Sequence, residues 1–485
     1  MAGWRILTNS LWIGGLSLML ATTSYHLWLA AESRTPLRDL VNARSWRWSW
    51  QGGVFLVAIG WALSMADARW EKLLWFGLAG WSGLQLIGLF IQAPGTRGTP
   101  AVSSTKDAGA PRVCLVAAVP LTLHVFMAPH VRALSRRYQV VLVCSSAPGV
   151  APLLSDRVRA EQIDIGRKVT PFRDLRSLFQ LWRLFRREGF GVVHSITPKA
   201  GLLTMVAGRM AGVPVRVHWF TGQIWATRTG LARTLLKALD RLLAACATDL
   251  LADSQSQRQF LVTEKVVREG QVTVLARGSV CGVDTERFRP DPERRAATRA
   301  QLLIPQAADV LLFVGRITRD KGVLELAEAF AGAARMCPTL YLVVVGPDEQ
   351  SLMPRVKETV RDNADRFRWV GFTPEPERFM AAADIFVLPS YREGFGSSVI
   401  EAAACGVPAI GTRVCGLTDA IEESVSGTLV PVGDSAALCE AIVSLSRDAD
   451  ALAAMGDRAR RRVEEHFGQD RLTAALEEYY LARRV

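Results

Sequence analysis

Hydrophobic residues follow two different patterns along this chain of 485 residues. The first hundred residues contain three continuous apolar stretches, at 11–31, 52–66 and 73–93, and the first and third are long enough to span a bilayer. Tryptophans flank these stretches, as is typical of membrane interfaces. We therefore predict an α-helical membrane region over residues 1–93, with two or three transmembrane helices. A Gly-, Pro- and Ser-rich linker is predicted at 94–111.

From residue 113 onward, short β-branched runs alternate with amphipathic helical segments. Two series of five strands are predicted, at 113–119, 140–144, 191–195, 215–220 and 272–275, then at 310–315, 340–346, 368–370, 385–388 and 408–411. Strands that alternate with helices of this length form right-handed βαβ units and parallel sheets. The predicted fold class is therefore α/β, with two Rossmann-like domains, 112–285 and 286–485, facing a cleft.

Charge is divided unevenly between these two domains. Residues 112–284 contain 24 lysines and arginines against 11 aspartates and glutamates, whereas the chain beyond residue 285 is acidic. A basic surplus suits nucleic acid or an anionic lipid surface. Because no nucleic-acid-binding motif accompanies it, we expect anionic lipids of an inner membrane as partners, and no nucleic acid. The cysteines and histidines show neither paired nor metal-ligand spacing, so no disulfide framework, metal site or cofactor is predicted.

Two charged motifs in the second domain point to a phosphate-bearing ligand. The segment 393–401, E-G-F-G-S-S-V-I-E, follows a buried apolar run, so Glu393 is expected at a strand end and Glu401 about two turns into the next helix. Ligands of open α/β sheets bind at that edge, and helix N-termini favour phosphate. Arg316 and Lys321 follow an earlier strand, and a pair of cations there suits a diphosphate. For any one of these charged residues taken alone, the alternative is a solvated charge on the protein surface.

These motifs resemble those of the retaining GT-B glycosyltransferases of family 4. The resemblance rests on G-R-I-T-R-D-K-G at 315–322 and E-G-F-G-S-S-V-I-E-A-A-A-C-G-V-P-A-I at 393–410. It extends to V-H-S-I-T-P-K-A-G-L-L-T at 193–204, V-H-W-F-T-G-Q-I-W-A-T at 217–227 and G-S-V-C-G-V-D-T-E-R-F at 278–288. Those segments look like the subgroup that extends undecaprenyl-diphosphate-linked sugars in bacterial glycan assembly. The first hundred residues show no such resemblance.

The resemblance implies roles for residues on the donor side of the cleft. Arg316 and Lys321 would hold the donor diphosphate, Glu401 would bind the donor ribose, and Glu393 would contact the transferred sugar. Backbone amides would face the phosphates from a short run, Gly394, Phe395, Gly396 and Ser397.

The resemblance also implies roles on the acceptor side. His218 would lie by the reacting centre, together with Glu393, Arg316 and Lys321; the alternative is a histidine with a structural partner at a strand end. The acceptor is expected near four residues, Thr197, Lys199, Thr221 and Gly222. The loop 119–126 lacks the glycines common in the family, so the role of its His124 is open.

The resemblance, together with the predicted membrane region and the absence of metal-ligand spacing, indicates a membrane-anchored, metal-independent transferase. It would move a sugar, expected to be an N-acetylhexosamine, from a UDP-sugar to an undecaprenyl-diphosphate-linked saccharide. The positive-inside rule applied to the arginine-rich loop 32–50 places the catalytic domains on the cytoplasmic side of the bacterial inner membrane. Two alternatives stay open: a UDP-sugar 2-epimerase-like enzyme, and a catalytically inactive scaffold of a polysaccharide assembly complex.

One predicted helix, at 173–188, is both basic and amphipathic. Large apolar residues recur at helical spacing, namely Phe172, Leu175, Phe179, Trp182 and Phe185, and five arginines surround them. We expect this helix to touch the inner leaflet of the membrane. The alternative is that its apolar stripe packs on its own sheet.

Overall fold

The computed structural model describes residues 10–11, 13–23, 44–64, 111–166 and 170–483. The chain forms two compact units, Met1–Ala101 and Val102–Val485. In the first unit, residues 13–23 are helical and helix α1 covers Arg44–Ser64. Among the described residues, no helix is both long enough and apolar enough to cross a bilayer. The transmembrane helices predicted from the sequence are therefore not confirmed, and the stretch 73–93 lies outside the described residues.

The second unit begins with a parallel sheet of seven strands. These are β1 (Arg112–Val116), β2 (Gln139–Cys144), β3 (Val158–Gln162), β4 (Val192–Ser195), β5 (Val215–Phe220), β6 (Asp249–Ala252) and β7 (Val272–Val274). Their order across the sheet is β3-β2-β1-β4-β5-β6-β7. Most β-branched side chains of the inner strands are buried, as is typical of a parallel sheet with helices on both faces.

The helices of this first domain follow its strands in chain order. They are α2 (Pro120–Thr122), α3 (Ala128–Leu134), α4 (Pro171–Glu188), α5 (Pro198–Ala211), α6 (Gly230–Cys246) and α7 (Gln255–Thr263). Shorter turns add a π-helix at Leu123–Met127 and 3₁₀ helices at Ala147–Leu153 and Ile224–Thr227. Helix α4 ends at Gly189, whose positive φ of 61° closes the last turn.

A second parallel sheet has six strands. These are β8 (Asp309–Val314), β9 (Leu340–Val345), β10 (Phe367–Gly371), β11 (Ile385–Leu388), β12 (Ala409–Thr412) and β13 (Gly427–Val430). Their order is β10-β9-β8-β11-β12-β13. Strands β8, β9 and β11 are nearly continuous apolar runs and form the centre of a large core.

The helices of this second domain lie before, between and after its strands in the chain. They are α8 (Pro292–Gln301), α9 (Val323–Met336), α10 (Met353–Thr359), α11 (Pro376–Ala382), α12 (Ser397–Ala404), α13 (Leu417–Ala420), α14 (Ser435–Ser446), α15 (Ala449–His466) and α16 (Gln469–Leu481). Two 3₁₀ turns lie at Arg319–Lys321 and Arg361–Arg366. The prediction of two Rossmann-like domains is confirmed.

All ten predicted strands are present, and three further strands were not predicted. The edge strand β3 carries Arg159 and Glu161, so it lacks a clear apolar pattern. Strand β6, D-L-L-A, has no β-branched residue, and β13, G-T-L-V, begins with a glycine. Runs that are polar, unbranched or interrupted by glycine are weak signals of a strand.

The last helix, α16, packs on the first domain, although the predicted boundaries assigned its residues to the second domain. Tyr480 is fully buried in the core of the first domain, and its hydroxyl lies 2.6 Å from Nδ1 of His194. The two connections between the domains pair with each other, since Val283 donates to the carbonyl of Phe467 at 2.8 Å and accepts from Gln469 at 2.9 Å. The predicted domain 286–485 therefore contributes its end to the first domain.

Candidate functional site

A cleft of about 430 Å³ lies where the carboxyl ends of the two sheets meet. The first domain contributes the π-helix and the residues that follow β4, β5 and β6. The second domain contributes the residues that follow β8 and β11, and the first turn of α12. Parallel α/β sheets bind ligands at this edge. The cleft is therefore the candidate functional site of the chain.

The loop between β11 and α12 carries the motif E-G-F-G-S-S into the cleft. Its Gly396 has a φ of 95° and stands at the N-cap of α12 without a capping side chain. A Cβ at Gly394 would lie 2.4 Å from Oδ2 of Asp253 and 2.6 Å from the carbonyl oxygen of Thr221. Glycine is therefore required at 394 for the loop to meet the first domain. Phe395, Gly396 and Ser397 line the cleft beside it.

Lys321 and Glu393 meet in the cleft, although 72 positions separate them in the sequence. Nζ of Lys321 lies 2.5 Å from Oε1 of Glu393, and Oγ of Ser390 donates to the same oxygen at 2.7 Å. Gly322 permits this approach: its φ is 69°, and a Cβ would lie 2.0 Å from the carbonyl oxygen of Pro389. The two predicted residues therefore form one charged unit, with side chains only 19% and 12% exposed.

Arg316 lies at the rim of the same cleft. Its side chain is 42% exposed, and its guanidinium is 2.8 Å from Oε2 of Glu349. A second cation, Arg392, lies 2.7 Å from Oδ2 of Asp320. Burial alone would raise the pKa of Asp320, but a hydrogen bond from Thr318 and the charge of Arg392 bring it below its ordinary value. Arg316, Lys321 and Arg392 give the second-domain wall three cations.

Glu401 lines the cleft from the first turns of α12. Because α12 begins at Ser397, Glu401 is its fifth residue, about one turn from the start rather than the two turns expected from the sequence. Burial raises the pKa of Glu401 to about 7; Arg287 opposes this shift and Glu377 adds to it. The charge of this carboxyl therefore changes close to neutral pH.

Two of the four residues predicted for the acceptor side line the cleft, and a third contacts a residue of its wall. Thr197 and Thr221 line it, and Gly222 has a φ of 105° that brings its backbone against Gly394 of the opposite domain. Lys199 does not line the cleft. Its Nζ lies 2.5 Å from Oδ1 of Asp174, at the start of α4.

His218 does not line the cleft, which corrects its predicted place by the reacting centre. The side chain is 1% exposed, with Nδ1 2.9 Å from Oγ of Ser195. Its ring faces α5, since a Cβ at Gly201 would lie 2.3 Å from Cε1 of the histidine. Burial lowers its pKa to about 3, so it is neutral. Strand β5 continues to Phe220, and Thr221 rather than His218 stands at its end.

The loop 119–126 forms one wall of the cleft without a glycine-rich turn. It folds into α2 and the π-helix, and Thr122, Val125 and Phe126 line the cleft, while His124 is exposed. This wall is apolar apart from one hydroxyl. This placement could not be predicted from the sequence, because a π-helix is rare and lies outside the helix and strand periods on which the prediction depends.

Asp253 is a cleft residue that was not predicted from the sequence. It follows β6 directly, is 4% exposed and places Oδ2 against Gly394. Burial raises its pKa well above the ordinary range, and the neighbouring charge of Glu393 adds to this. An acid directly after an apolar strand was the available signal, and it was missed because β6 itself was not predicted.

Helix α7 of the first domain and the residue before it contact two parts of the second domain: the loop that contains Gly394, and helix α13. Oγ of Ser254 donates to the carbonyl of Gly394 at 3.1 Å. The backbone N–H of Gln255 donates to Oδ1 of Asp419 at 3.0 Å, and Gly416 donates to Oγ of Ser256 at 2.8 Å. A carboxylate at a helix N-terminus is favoured by the exposed N–H groups and the helix dipole. These hydrogen bonds join the two domains beside the cleft.

The comparisons with known proteins agree with this architecture. The model of a "Glycosyl transferase 4-like domain" matches residues 123–278, and that of "Glycosyl transferases group 1" matches 294–462. The capsular polysaccharide biosynthesis glycosyltransferase CapM of Staphylococcus aureus is 31% identical over 326 residues, which are 67% of this chain and 85% of that relative. The chain belongs to glycosyltransferase family 4.

Further relatives extend the comparison of this family 4 chain. The UDP-Gal:alpha-D-GlcNAc-diphosphoundecaprenol alpha-1,3-galactosyltransferase of Escherichia coli is 26% identical over 354 residues, 72% of this chain and 90% of that protein. The structure of Anabaena HepE in complex with UDP-glucose has a TM-score of 0.65 at 17% identity, covering 76% of this chain and 99% of that one. At such low identity the likeness shows the fold, which is GT-B.

Metal-ligand geometry concerns the side chains in the part of the chain that the structure describes. Within it, no group of three or more His, Cys, Asp or Glu side chains is placed to hold a metal ion. That the reaction of this family 4 enzyme needs no metal stays a prediction.

Proposed function

We propose that this family 4 enzyme transfers an N-acetylhexosamine from a UDP-sugar to an undecaprenyl-diphosphate-linked saccharide. The observation that carries the proposal is the convergence of Lys321, Glu393 and Arg316 beside the uncapped N-terminus of α12. Cations and backbone N–H groups suit a diphosphate, and a carboxylate suits sugar hydroxyls. The proposed acceptor is supported by the E. coli relative, whose name includes a diphosphoundecaprenol-linked sugar.

The proposed reaction retains the configuration of the transferred sugar. The bond between its anomeric carbon and the diphosphate oxygen breaks, and an acceptor hydroxyl bonds that carbon on the same face. The hydroxyl proton passes to the departing phosphate oxygen. Arg316, Lys321 and the amides of the loop Gly394–Ser397 stabilise the charge that develops on the diphosphate. No residue needs to act as a covalent nucleophile, and no metal is required in this scheme.

We further propose that the reaction takes place at the cytoplasmic face of the bacterial inner membrane. Nucleotide sugars are made in the cytoplasm, and the acceptor is held in the bilayer by its lipid. The basic surplus of residues 112–284 supports this location, because it suits the anionic lipids of that leaflet. The apolar stretches before residue 94 remain predicted anchors.

The test is a donor screen on the purified full chain with an undecaprenyl-diphosphate-linked acceptor. Labelled UDP-sugars are supplied one at a time, and release of UDP and label in the solvent-extracted lipid are both measured. Transfer from a UDP-N-acetylhexosamine is expected, and NMR of the product should show the anomeric configuration of the donor. The matched control is Lys321→Met, which keeps the length of the side chain and removes its charge.

The screen also separates the proposed function from the alternatives. Free interconverted UDP-sugar without labelled lipid would indicate an epimerase. Absence of turnover with every donor, although UDP-sugar binding is measured by calorimetry, would indicate an inactive scaffold. Transfer from UDP-galactose in preference to N-acetylhexosamines would overturn the proposed donor while leaving the transferase activity in place.

A further inference from the structure

Helix α4 leaves a row of large apolar side chains uncovered. It packs into the first domain through Leu181, Leu184 and Phe185, which are buried. Phe172, by contrast, is 92% exposed, Leu175 65% and Phe179 56%. The predicted stripe is therefore divided: Phe185 belongs to the core, whereas the residues near the start of the helix point to the outside. A single exposed apolar residue is common, but a row of them is a sign of an interaction surface.

Arginines stand among these apolar residues on the same face of α4. Arg176, Arg183 and Arg186 are exposed and lie at positions that recur every three or four residues from Phe172. The face is therefore apolar and cationic at once. Its apolar part lies at the N-terminal half of α4, and its charge extends along the whole helix.

Helix α6 presents a second exposed row beside the first. Leu231 is 89% exposed and Leu235 is 63% exposed, at a spacing of one turn. Both α4 and α6 pack against α5, which lies between them. In right-handed βαβ units the helices begin at the carboxyl edge of the sheet, so both rows lie at the edge where the cleft opens. Ile224, 43% exposed, precedes α6 at this edge.

We propose that these two rows and the arginines of α4 form a lipid-docking surface, which binds an anionic bilayer. A bilayer interface accepts both components, since apolar side chains enter the acyl boundary while arginines meet phosphate headgroups. The charge of the domain is complementary, with 24 lysines and arginines against 11 acids over residues 112–284. Docking would bring the cleft to the leaflet that holds a lipid-linked acceptor; this last step rests on the proposed function, while the docking itself does not.

The location of the contact is tested by hydrogen–deuterium exchange of the full chain. Exchange is compared in buffer, with phosphatidylcholine vesicles, and with vesicles that also contain phosphatidylglycerol. Peptides at the starts of α4 and α6 should become protected only with the anionic vesicles. Peptides of α10 and α15 in the second domain serve as internal references and should not change. Equal exchange of α4 and α6 with and without anionic vesicles would overturn the proposal.

The contribution of charge is tested by a triple variant, Arg176→Ser, Arg183→Ser, Arg186→Ser. Each arginine near an anionic surface contributes about fivefold in affinity, so the preference for anionic over zwitterionic vesicles should fall roughly 100-fold. The ratio is measured because any vesicle binding by the first hundred residues is common to both proteins. The matched control replaces three exposed arginines of the second domain, Arg355, Arg361 and Arg461, by serine and should keep the wild-type ratio. An equal loss in both variants would refute a localised surface.

A soluble acceptor separates this proposal from the proposed function. A diphosphate-linked saccharide with a short alkyl chain needs no bilayer, so the triple variant should transfer sugar to it at the wild-type rate. If the wild type itself transfers nothing, the proposed function fails while the vesicle measurements still decide the docking. If the variant loses this activity in step with its lipid binding, the arginines act in the cleft and the docking surface is refuted. Tighter binding of a DNA duplex than of anionic vesicles, lost in the same variant, would refute it as well.

Discussion

Lys321 forms an ion pair with Glu393 in the cleft, so removal of the charge of Lys321 is the most informative test of the site. Lys321→Met keeps most of the apolar stem and deletes the ammonium group, which lies 2.5 Å from Oε1 of Glu393. The two side chains are 19% and 12% exposed, so the pair is neither a surface pair nor a fully buried one. Oγ of Ser390 continues to donate to the glutamate after the substitution. The fold should therefore persist with a modest loss of stability.

We expect the ammonium group of Lys321 to contribute both to folding stability and to catalysis, and the expected loss of each follows from the kind of contact it makes. Surface pairs contribute at most about 1 kcal/mol and breaking buried pairs costs about 3–5 kcal/mol, so the free energy of unfolding should fall by roughly 1–3 kcal/mol. A hydrogen bond to a charged group contributes about 1.5–3 kcal/mol, which corresponds to a loss of about 10- to 150-fold in kcat/KM. The loss should be larger if the contact strengthens as the diphosphate departs.

Three proteins separate these two effects. Unfolding by urea and the rate of UDP release are measured for Lys321→Met, for Lys321→Met with Glu393→Gln, and for the control Arg361→Met. The double variant should regain stability, because the uncompensated carboxylate is gone, but it should not regain transfer. Arg361 pairs with Glu358 at an exposed site, with side chains 70% and 71% exposed, so its loss should change neither quantity. A kcat/KM within twofold of wild type for Lys321→Met would refute the assignment of the site.

Three further outcomes are expected. Transfer should survive EDTA, and a loss that Mg²⁺ or Mn²⁺ restores would contradict this. Glu401→Gln should stabilise the fold at alkaline pH: the carboxyl has a pKa of about 7 when folded against 4.5 ordinarily, so the wild type loses stability as pH rises from 4.5 to 7. Urea unfolding should show a gain of up to about 3 kcal/mol near pH 8 and none near pH 4, and a difference independent of pH would be inconsistent with this cause. Gly322→Ala should destabilise by about 3 kcal/mol or more, since its Cβ would lie 2.0 Å from the carbonyl oxygen of Pro389. Gly189→Ala, with a similar φ of 61° and no atom within 4 Å of its Cβ, should cost only about 1 kcal/mol, and equal costs would contradict the steric explanation.

The parts of the site that lie on one loop were predictable from the sequence. Glu393, Gly394 and Glu401 belong to one strand–loop–helix unit, whose apolar pattern and glycines are local signals. The ion pair between Lys321 and Glu393 could not be predicted, because it depends on the packing of Gly322 against Pro389. Local pattern therefore predicts which residues reach the sheet edge, and tertiary packing decides which of them meet.

The residues of the first domain were predicted less well for a related reason. His218 and Thr221 lie three positions apart, and only the true end of β5 decides which of them reaches the cleft. Asp253 owes its place to Gly394, about 140 positions further along the chain. Neither the end of a strand within a long apolar run nor a contact between domains leaves a periodic signal in the sequence.

The return of α16 has a consequence for the order in which the protein is completed during synthesis. Tyr480 fills the core of the Rossmann-like domain that is translated first, although it lies about 200 positions after the last strand of that domain's sheet. That domain therefore lacks its last structural element during synthesis until the strands of the second sheet have also been made. A nonsense mutation or a stalled ribosome at the start of α16 would leave the first domain with an open core and His194 without its hydroxyl partner, although every residue of both sheets had been synthesised. Proteases of cellular quality control would therefore find the exposed core of such chains in the first domain and not in the second.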